Sequence, residues 1–322
     1  MPGVYKFEDT GGADIMSYIF GPVPSRRLGL SLGVDLVPPK TCSYDCLYCQ
    51  VGKTTCLSAE PQAWAPVEAV IEELKRRLEK ITPDVVTFSG SGEPTLHSGI
   101  GEVIAFVKAW SGLRVAVLTN GSLLWREEVR ERLLAADVIM PTLNTVHEET
   151  YRKIHRPHPD LTLSRVIRGI ESLRKVYRGE LNVEILLLAG LNDSPEELSG
   201  LKKALAALGP DGIQLNTVVR PPADARALRL DREKMEEVKE FFGKRAEIIA
   251  FTPPKPRDQK HESLAVAVVE MARRRPVRAV DVGQVLGLSP EEVETLIKGL
   301  VVKGRLRSRL HEGETYYHAL RA

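Results

Sequence analysis

Cysteine is scarce in this chain, with four in 322 residues. So few in so long a chain exclude a disulfide framework, which small secreted domains use in place of a large core. No uncharged apolar run reaches the length of a bilayer span, so no transmembrane helix is expected. The first residues lack the apolar core of a signal peptide, so the expected location is the cytoplasm. An excess of one charge is missing too. The 45 Lys+Arg and 43 Asp+Glu leave +2, too little for general nucleic-acid affinity. What remains is ordinary for a globular protein, 43% hydrophobic and 27% charged. The length suits one large domain and a small one.

The few cysteines are not scattered. Cys42, Cys46 and Cys49 fall in one run, Thr41-Cys42-Ser43-Tyr44-Asp45-Cys46-Leu47-Tyr48-Cys49, spaced x3 and x2. Three thiolates on one short loop can hold three corners of a cubane iron–sulfur cluster, leaving the fourth iron open for chemistry. A structural zinc wants four closed ligands, and no second Cys/His pair lies at finger spacing. Cys46-x-x-Cys49 alone would suit a thiol oxidoreductase, with Cys42 surplus. Cys56 is left over, either a hydrogen-atom donor or substrate contact, or a plain cysteine.

Residues 1–15 are polar and Gly-rich and predict a loose extension, and Met16, like Met1, is a candidate native start. Strands are predicted at 31–36, 84–89, 114–119, 137–142, 182–188 and 211–216. Helices are predicted at 66–80, 98–110, 125–135, 161–178, 194–207 and 231–242. In the first helix Val67, Val70, Ile71, Leu74 and Leu78 recur on a 3–4 spacing between charged residues. Strands such as Val85-Val86-Thr87-Phe88 suit a parallel sheet buried on both faces. Six β–α alternations predict an α/β fold with helices outside a parallel sheet, the main domain spanning 16–252. Chemistry in such folds gathers at the carboxyl ends of the strands. A Pro-rich linker follows at 253–260. The remainder, 261–322, predicts helices at 261–275 and 279–287, a third capped by Ser289 with Pro290 behind it, and two strands at 305–310 and 315–319. That order resembles a winged helix.

The cysteine triad with Tyr48 before its last member resembles the radical S-adenosylmethionine (radical SAM) superfamily. Ser91-Gly92-Glu93-Pro94 resembles that family's Gly-Gly-Glu-Pro motif, with Ser91 in the first Gly position. The stretches 20–51, 142–159 and 213–222 resemble a group related to wyosine-type tRNA synthases. The resemblance covers roughly residues 16–252 and implies a partial (β/α)6 TIM-like barrel with a [4Fe-4S] cluster on Cys42, Cys46 and Cys49. It implies that the cluster reduces S-adenosylmethionine (SAM) to methionine and a 5′-deoxyadenosyl radical, which abstracts hydrogen from a substrate. A low-potential donor of flavodoxin or ferredoxin type would supply the electron.

By the same resemblance Tyr48 packs near the adenine, and Gly90, Ser91, Gly92 and Glu93 form a turn that meets the methionine amino group. Asn120, Thr142 and Asn144 follow strands three and four as candidate contacts to the ribose or carboxylate, and Leu188 is a candidate to back the adenine. Each has a plain alternative as core packing or turn chemistry. Candidate substrate residues are Arg26 and Arg27 before the first strand, Arg152 and Arg156 in a basic segment, Gln214 and Asn216 in the sixth strand, and Arg220 beyond it. Guanidinium groups suit phosphate or carboxylate, and surface salt bridges are the plain alternative.

The wyosine-type enzymes and the methylthiotransferases carry a second cluster, whereas this chain has no cysteine before Cys42. A single-cluster enzyme is therefore expected. Residues 255–322 hold 13 Lys+Arg against 9 Asp+Glu. Glu291, Glu292 and Glu294 crowd the start of the third helix of this segment, where a DNA reader meets phosphate, so sequence-specific DNA readout is not expected. Arg305, Arg307 and Arg309 in the wing are free of that objection. Three functions stay open: radical modification of RNA, radical modification of a docked protein or peptide, and a non-enzymatic redox-sensing regulator that binds DNA.

Overall fold

The computed structural model describes residues 17–25, 27–251 and 264–320. Strand β1 (Ile19–Ser25) runs antiparallel to β2 (Gly29–Val34). In the cysteine loop, the two-residue strands β3 (Thr41–Cys42) and β4 (Cys56–Leu57) pair in parallel. The chain then alternates: α1 (Val67–Leu78), β5 (Val85–Phe88), α2 (Ile100–Ser111), β6 (Arg114–Thr119), α3 (Glu127–Leu133), β7 (Val138–Pro141), α4 (Glu148–His155), α5 (Leu163–Val176), β8 (Glu180–Leu187), α6 (Pro195–Leu208), β9 (Gly212–Thr217), α7 (Arg232–Phe242) and β10 (Ala246–Ile248). The sheet order is β1-β2-β5-β6-β7-β8-β9-β10, parallel from β2 onward. Neighbours in sequence are neighbours in space, and the two end strands do not pair with each other, so the barrel stays open.

The two faces of the sheet hold different cores. Outward residues such as Val86, Phe88, Val115, Val117, Ile139, Ile185 and Leu215 pack beneath the helices. Inward, Val85, Ala116, Val138 and Met140, with Leu28 and Leu118, form a smaller apolar plug. Ser31 and Thr87 share a buried 2.7 Å hydrogen bond on this inner face. Period-2 alternation thus survives inside strands that are apolar on both sides.

The six predicted strands and six predicted helices of the main domain are present, with ends shifted by a few residues. Besides the two-residue strands β3 and β4, three elements were not expected. Strand β1 contains Pro22 and Pro24, which argue against a strand except at a sheet edge, where β1 lies. Helix α4 forms in what the sequence presents as a basic segment, and β10 is only three residues long. The predicted extension at 1–15, the linker at 253–260 and Arg26 lie outside the described residues.

The C-terminal part has helices α8 (Leu264–Arg274), α9 (Ala279–Leu286) and α10 (Pro290–Val302), then the antiparallel hairpin β11 (Leu306–His311) and β12 (Glu314–Ala319). Ser289 and Glu292 form a capping box at the start of α10, with Pro290 behind the cap. Val268, Val282, Val285, Val293, Ile297 and Leu306 build a separate core, onto which Val23 of β1 packs. One face of the hairpin, with Leu306, Tyr317 and Ala319, closes this core. The opposite face meets the barrel: Tyr316 Oη donates to the Val219 carbonyl at 2.8 Å, and Glu312 pairs with Arg229 at 2.8 Å. No helix among the described residues is long and apolar enough to cross a membrane.

Candidate active site

The cysteine loop leaves β2 at the carboxyl edge of the sheet and is clamped to the end of α4. Asp45 N–H donates to the His155 carbonyl and Leu47 N–H to that of Ile154, each at 2.9 Å. His158 N–H reaches the Ser43 carbonyl at 2.9 Å. The Asp45 carboxylate accepts from Thr54 N–H at 2.7 Å, and Thr54 Oγ1 donates to the Tyr44 carbonyl at 2.6 Å. The loop is therefore shaped before any ligand arrives.

Burial raises all three thiols above the ordinary range: Cys42 is pushed up to about 12, Cys46 well up, and Cys49 upward. The Glu93 carboxylate and the Cys49 sulfur add to the effect on Cys42, and the Cys42 and Cys49 sulfurs add to that on Cys46. Three clustered thiols that resist ionisation together need a cationic partner to become thiolates. Among the described residues no three His, Cys, Asp or Glu side chains converge tightly enough to clasp one ion. A cluster that takes thiolates at separate corners fits this donor set better than a single zinc. Asn120 Nδ2 lies 3.6 Å from Cys42 Sγ and 2.8 Å from Ser43 Oγ, so an amide donor faces a ligand sulfur. Cys56 stands apart on β4, its N–H on the Lys40 carbonyl at 3.1 Å.

His155 belongs to this site and was not singled out by the sequence. Its Nδ1 lies 3.4 Å from Cys46 Sγ and 3.5 Å from Tyr48 Oη. It is walled by Tyr44, Tyr48 and Tyr151, and burial pushes it down to about 3, so the imidazole is neutral. Its local signal was faint, one histidine in a run of basic residues.

Tyr48 is held from the far side by Asn144, whose Nδ2 donates to Tyr48 Oη at 3.1 Å. Asn144 Oδ1 accepts from Leu186 N–H at 2.8 Å. Asn192, in the run after β8 that begins with Leu188, is fully buried. It donates to the Asn144 and Leu186 carbonyls and accepts from Leu188 N–H. Leu188 packs with Leu47, Ile154 and Val218 in a small cluster that Tyr48 joins. Thr142 bridges to Glu184 on the neighbouring strand.

The turn after β5 needs its glycines for close approach. A Cβ on Gly90, whose φ is +149°, would sit 2.2 Å from the Asp35 carboxyl carbon. One on Gly92 would sit 2.1 Å from the Thr41 carbonyl oxygen, next to Cys42. Ser91 N–H and Oγ both donate to Asp35 Oδ2, at 3.0 and 2.7 Å. Glu93 corrects an expectation. Its buried carboxylate accepts from Thr95 N–H and Oγ1, Thr119 Oγ1 and Asn120 N–H. It ties two turns together, with Oε1 taking three of these bonds and Oε2 one.

The substrate candidates divide. Arg27 turns into the barrel and forks Glu184 at 3.0 and 3.2 Å, and Asn216 Nδ2 donates to the same carboxylate at 2.8 Å. Gln214 lies beside Glu184 in register, with a buried Oε1 that has no partner. These residues line the interior at the level of Thr142. The other arginines do not join them. Arg152 lies on the outer side of α4, half-exposed and paired with Glu148 at 2.8 Å within one helical turn. Arg156 is pinned by Asp224 at 2.5 Å. Arg220 is half-buried, its Nε covered, facing Asp281 and Tyr316 of the C-terminal part, and touches Gln50 at 3.5 Å. Paired or covered, these three are poorly placed to grip substrate.

The profile of the Radical SAM superfamily matches residues 36–201, which takes in the triad, the glycine turn and the Asn144 turn. The chain belongs to the radical SAM superfamily. The matched domain is that of a radical SAM enzyme, whose cofactors are a [4Fe-4S] cluster and SAM. A UPF0026 protein of Helicobacter pylori strain J99 is 30% identical over 288 residues, 87% of this chain and 91% of that one. A Brachyspira hyodysenteriae protein named GTPase Obg is 33% identical over 303 residues, 93% of this chain. The radical SAM chain spans only 45% of that protein's length. Among solved structures, TYW1 with a bound lysine–pyruvate adduct superimposes at a TM-score of 0.50 and 17% identity, over 66% of this chain and 72% of that one. At that identity the likeness is one of fold.

Proposed function

We propose that this radical SAM enzyme modifies RNA and that its C-terminal part is a winged helix that holds the RNA beside the barrel mouth. Cys42, Cys46 and Cys49 would hold the cluster; the turn 90–92, Tyr48, Asn144 and Leu188 would seat SAM. When bound, the cluster supplies one-electron reduction and SAM supplies hydrogen-atom abstraction. The protein's own residues do the rest. Asn120 and His155 orient the sulfur ligands, Tyr48 and Asn144 fix the adenine side, and Arg27, Glu184 and Asn216 floor the cavity that substrate enters. A low-potential donor of flavodoxin or ferredoxin type delivers the electron.

The observation that carries the RNA reading is the charge on the hairpin. Arg307 and Arg309 alternate on β11, exposed, and neither makes an ion pair among the described residues. Their strand partners His318 and Tyr316 share that face and lie against the barrel. Burial, and after it the charges of Arg309 and Lys40, hold His318 below its ordinary range, so positive groups from both parts of the chain lie near it. Phosphate is the ligand such a face suits, and acidic Glu291 and Glu292 keep α10 from serving as a DNA-reading helix.

The test has two arms. The reconstituted enzyme, reduced anaerobically with SAM, should form 5′-deoxyadenosine, and the Cys42→Ala/Cys46→Ala/Cys49→Ala variant should form none. Unmodified total tRNA should bind with an affinity that falls with salt. Arg307→Ala/Arg309→Ala should flatten the log–log slope by about 2, near 1 for each phosphate left without its arginine. RNA binding that is absent or indifferent to salt would shift the reading to a protein or peptide substrate.

A further inference from the structure

We infer that Arg274, on the C-terminal helix α8, is a positioning residue for the methionine end of SAM, acting through Asp35 on the Ser91 turn. The inference rests on that turn holding the methionine amino group, and it is independent of the RNA reading.

The path is short and buried. Arg274 Nε lies 3.7 Å from Asp35 Oδ2, with 10% and 5% of the two side chains exposed. That same oxygen accepts both Ser91 bonds. Arg274 Nε, the nitrogen nearest Asp35, is buried and has no hydrogen-bond partner, while Nη1 reaches the Glu270 carbonyl at 3.4 Å. The rest of the side chain is fixed. One terminal nitrogen donates to the Ser17 carbonyl at 2.7 Å, and the guanidinium stacks over Phe20 at 4.3 Å. Phe20 in turn lies flat on Gly33 of β2, where no side chain would fit.

On the far side of Asp35 the turn has no slack. Gly90 packs directly on the carboxylate, the Ser91 carbonyl accepts from Lys40 N–H at 2.7 Å, and Gly92 abuts Thr41. A displacement of Asp35 therefore moves the Ser91 turn against the loop that carries Cys42. Burial holds the Asp35 carboxyl above its ordinary range, and Arg274 pulls it back toward the charged form. A charged Asp35 accepts two hydrogen bonds from Ser91 and fixes the direction of the turn; a protonated one would compete as a donor. The C-terminal part thus completes the cofactor site and is more than a detachable docking module.

The experiment uses the full-length, cluster-reconstituted enzyme and compares two ligands by anaerobic equilibrium binding. SAM has a methionine amino group; 5′-methylthioadenosine has the adenosine and sulfur without it. Wild type should prefer SAM. Arg274→Met should weaken SAM about tenfold, the scale of one well-placed hydrogen bond, with 5′-methylthioadenosine affinity and iron and sulfide content unchanged. Arg274→Lys should recover part of the loss, and Asp35→Asn should reproduce it; these two carry the test if Arg274→Met does not fold. Unchanged SAM affinity in Arg274→Met or Asp35→Asn would overturn the inference. Equal weakening of both ligands, or depletion of iron, would also overturn it, by showing a general structural role. A wild type that binds both ligands alike would remove its premise, the amino-group role of the turn.

Discussion

Arg27 and Glu184 give a sharp test of the barrel interior. The pair is bidentate at 3.0 and 3.2 Å, with 14% and 17% of the side chains exposed, and Asn216 adds a third hydrogen bond. Arg27→Met keeps the stem and removes the charge, leaving Glu184 ionised in a largely enclosed site. Breaking a buried pair from one side costs about 3–5 kcal/mol. Asn216 still donates and the site opens toward the mouth, so the low end applies, about 3 kcal/mol. At about 2 °C per kcal/mol for a chain of this size, Tm should fall by about 6 °C. Arg27→Met/Glu184→Leu removes both charges and should recover most of the loss. It would remain about 1 kcal/mol below wild type because Asn216 loses its acceptor. Thermal and urea unfolding, followed by near-ultraviolet circular dichroism, close the double-mutant cycle: adding Glu184→Leu should restore about 2 kcal/mol to Arg27→Met, whereas Glu184→Leu alone should destabilise, and that difference is the coupling. Raising salt from 0.1 to 0.5 M should change the coupling little, since an enclosed pair is poorly screened. Additive single mutants, or a coupling that vanishes in salt, would refute the claim that this pair is part of the interior.

Three further outcomes follow from the site. Gly90→Ala forces a Cβ into the Asp35 carboxylate at a φ of +149° and should leave little folded protein, as measured by soluble yield and Tm. Asn120→Leu removes the amide donor 3.6 Å from Cys42 Sγ. Losing about 1 kcal/mol of preference for the more negative reduced cluster should lower the midpoint potential by about 40 mV in an electron-paramagnetic-resonance redox titration. Asp35 has its folded pKa raised, mainly by burial, so its destabilising contribution grows as pH rises from the ordinary carboxylate range through the folded value. Asp35→Asn abolishes that titration, so its Tm relative to wild type should improve between pH 4 and pH 7; a constant difference would contradict a raised pKa.

The parts of the protein legible in its sequence are those set by local chemistry. The triad is visible because one loop must carry all three thiolates, and that demand is written as spacing. The strands β2 and β5 to β9 are visible because apolar runs of strand length alternate with helical periodicity. Partners far apart in the chain leave no such mark. Glu93 stands in the right motif, yet whether its carboxylate points at a ligand or at Thr95, Thr119 and Asn120 is decided by the turn after β6. Arg220 sits just past a strand end, where chemistry gathers, but the C-terminal part covers it.

One more signal stands in the sequence. Glu184 is a carboxylate in the middle of the strand Glu180–Leu187, whose neighbours Val183 and Ile185 are fully buried. A charge in such a strand needs a partner, and period-2 geometry sends it to the face opposite Ile185 and Leu187, into the barrel. The same parity places Gln214 and Asn216 of β9 inward, because Ile213 and Leu215 belong to the outer core. Three polar residues on adjacent strands with shared parity would have located the polar patch of the barrel interior from sequence. The cation that pairs with Glu184, Arg27 from the β1–β2 turn, required the fold, because its reach depends on an antiparallel edge strand whose prolines hid it.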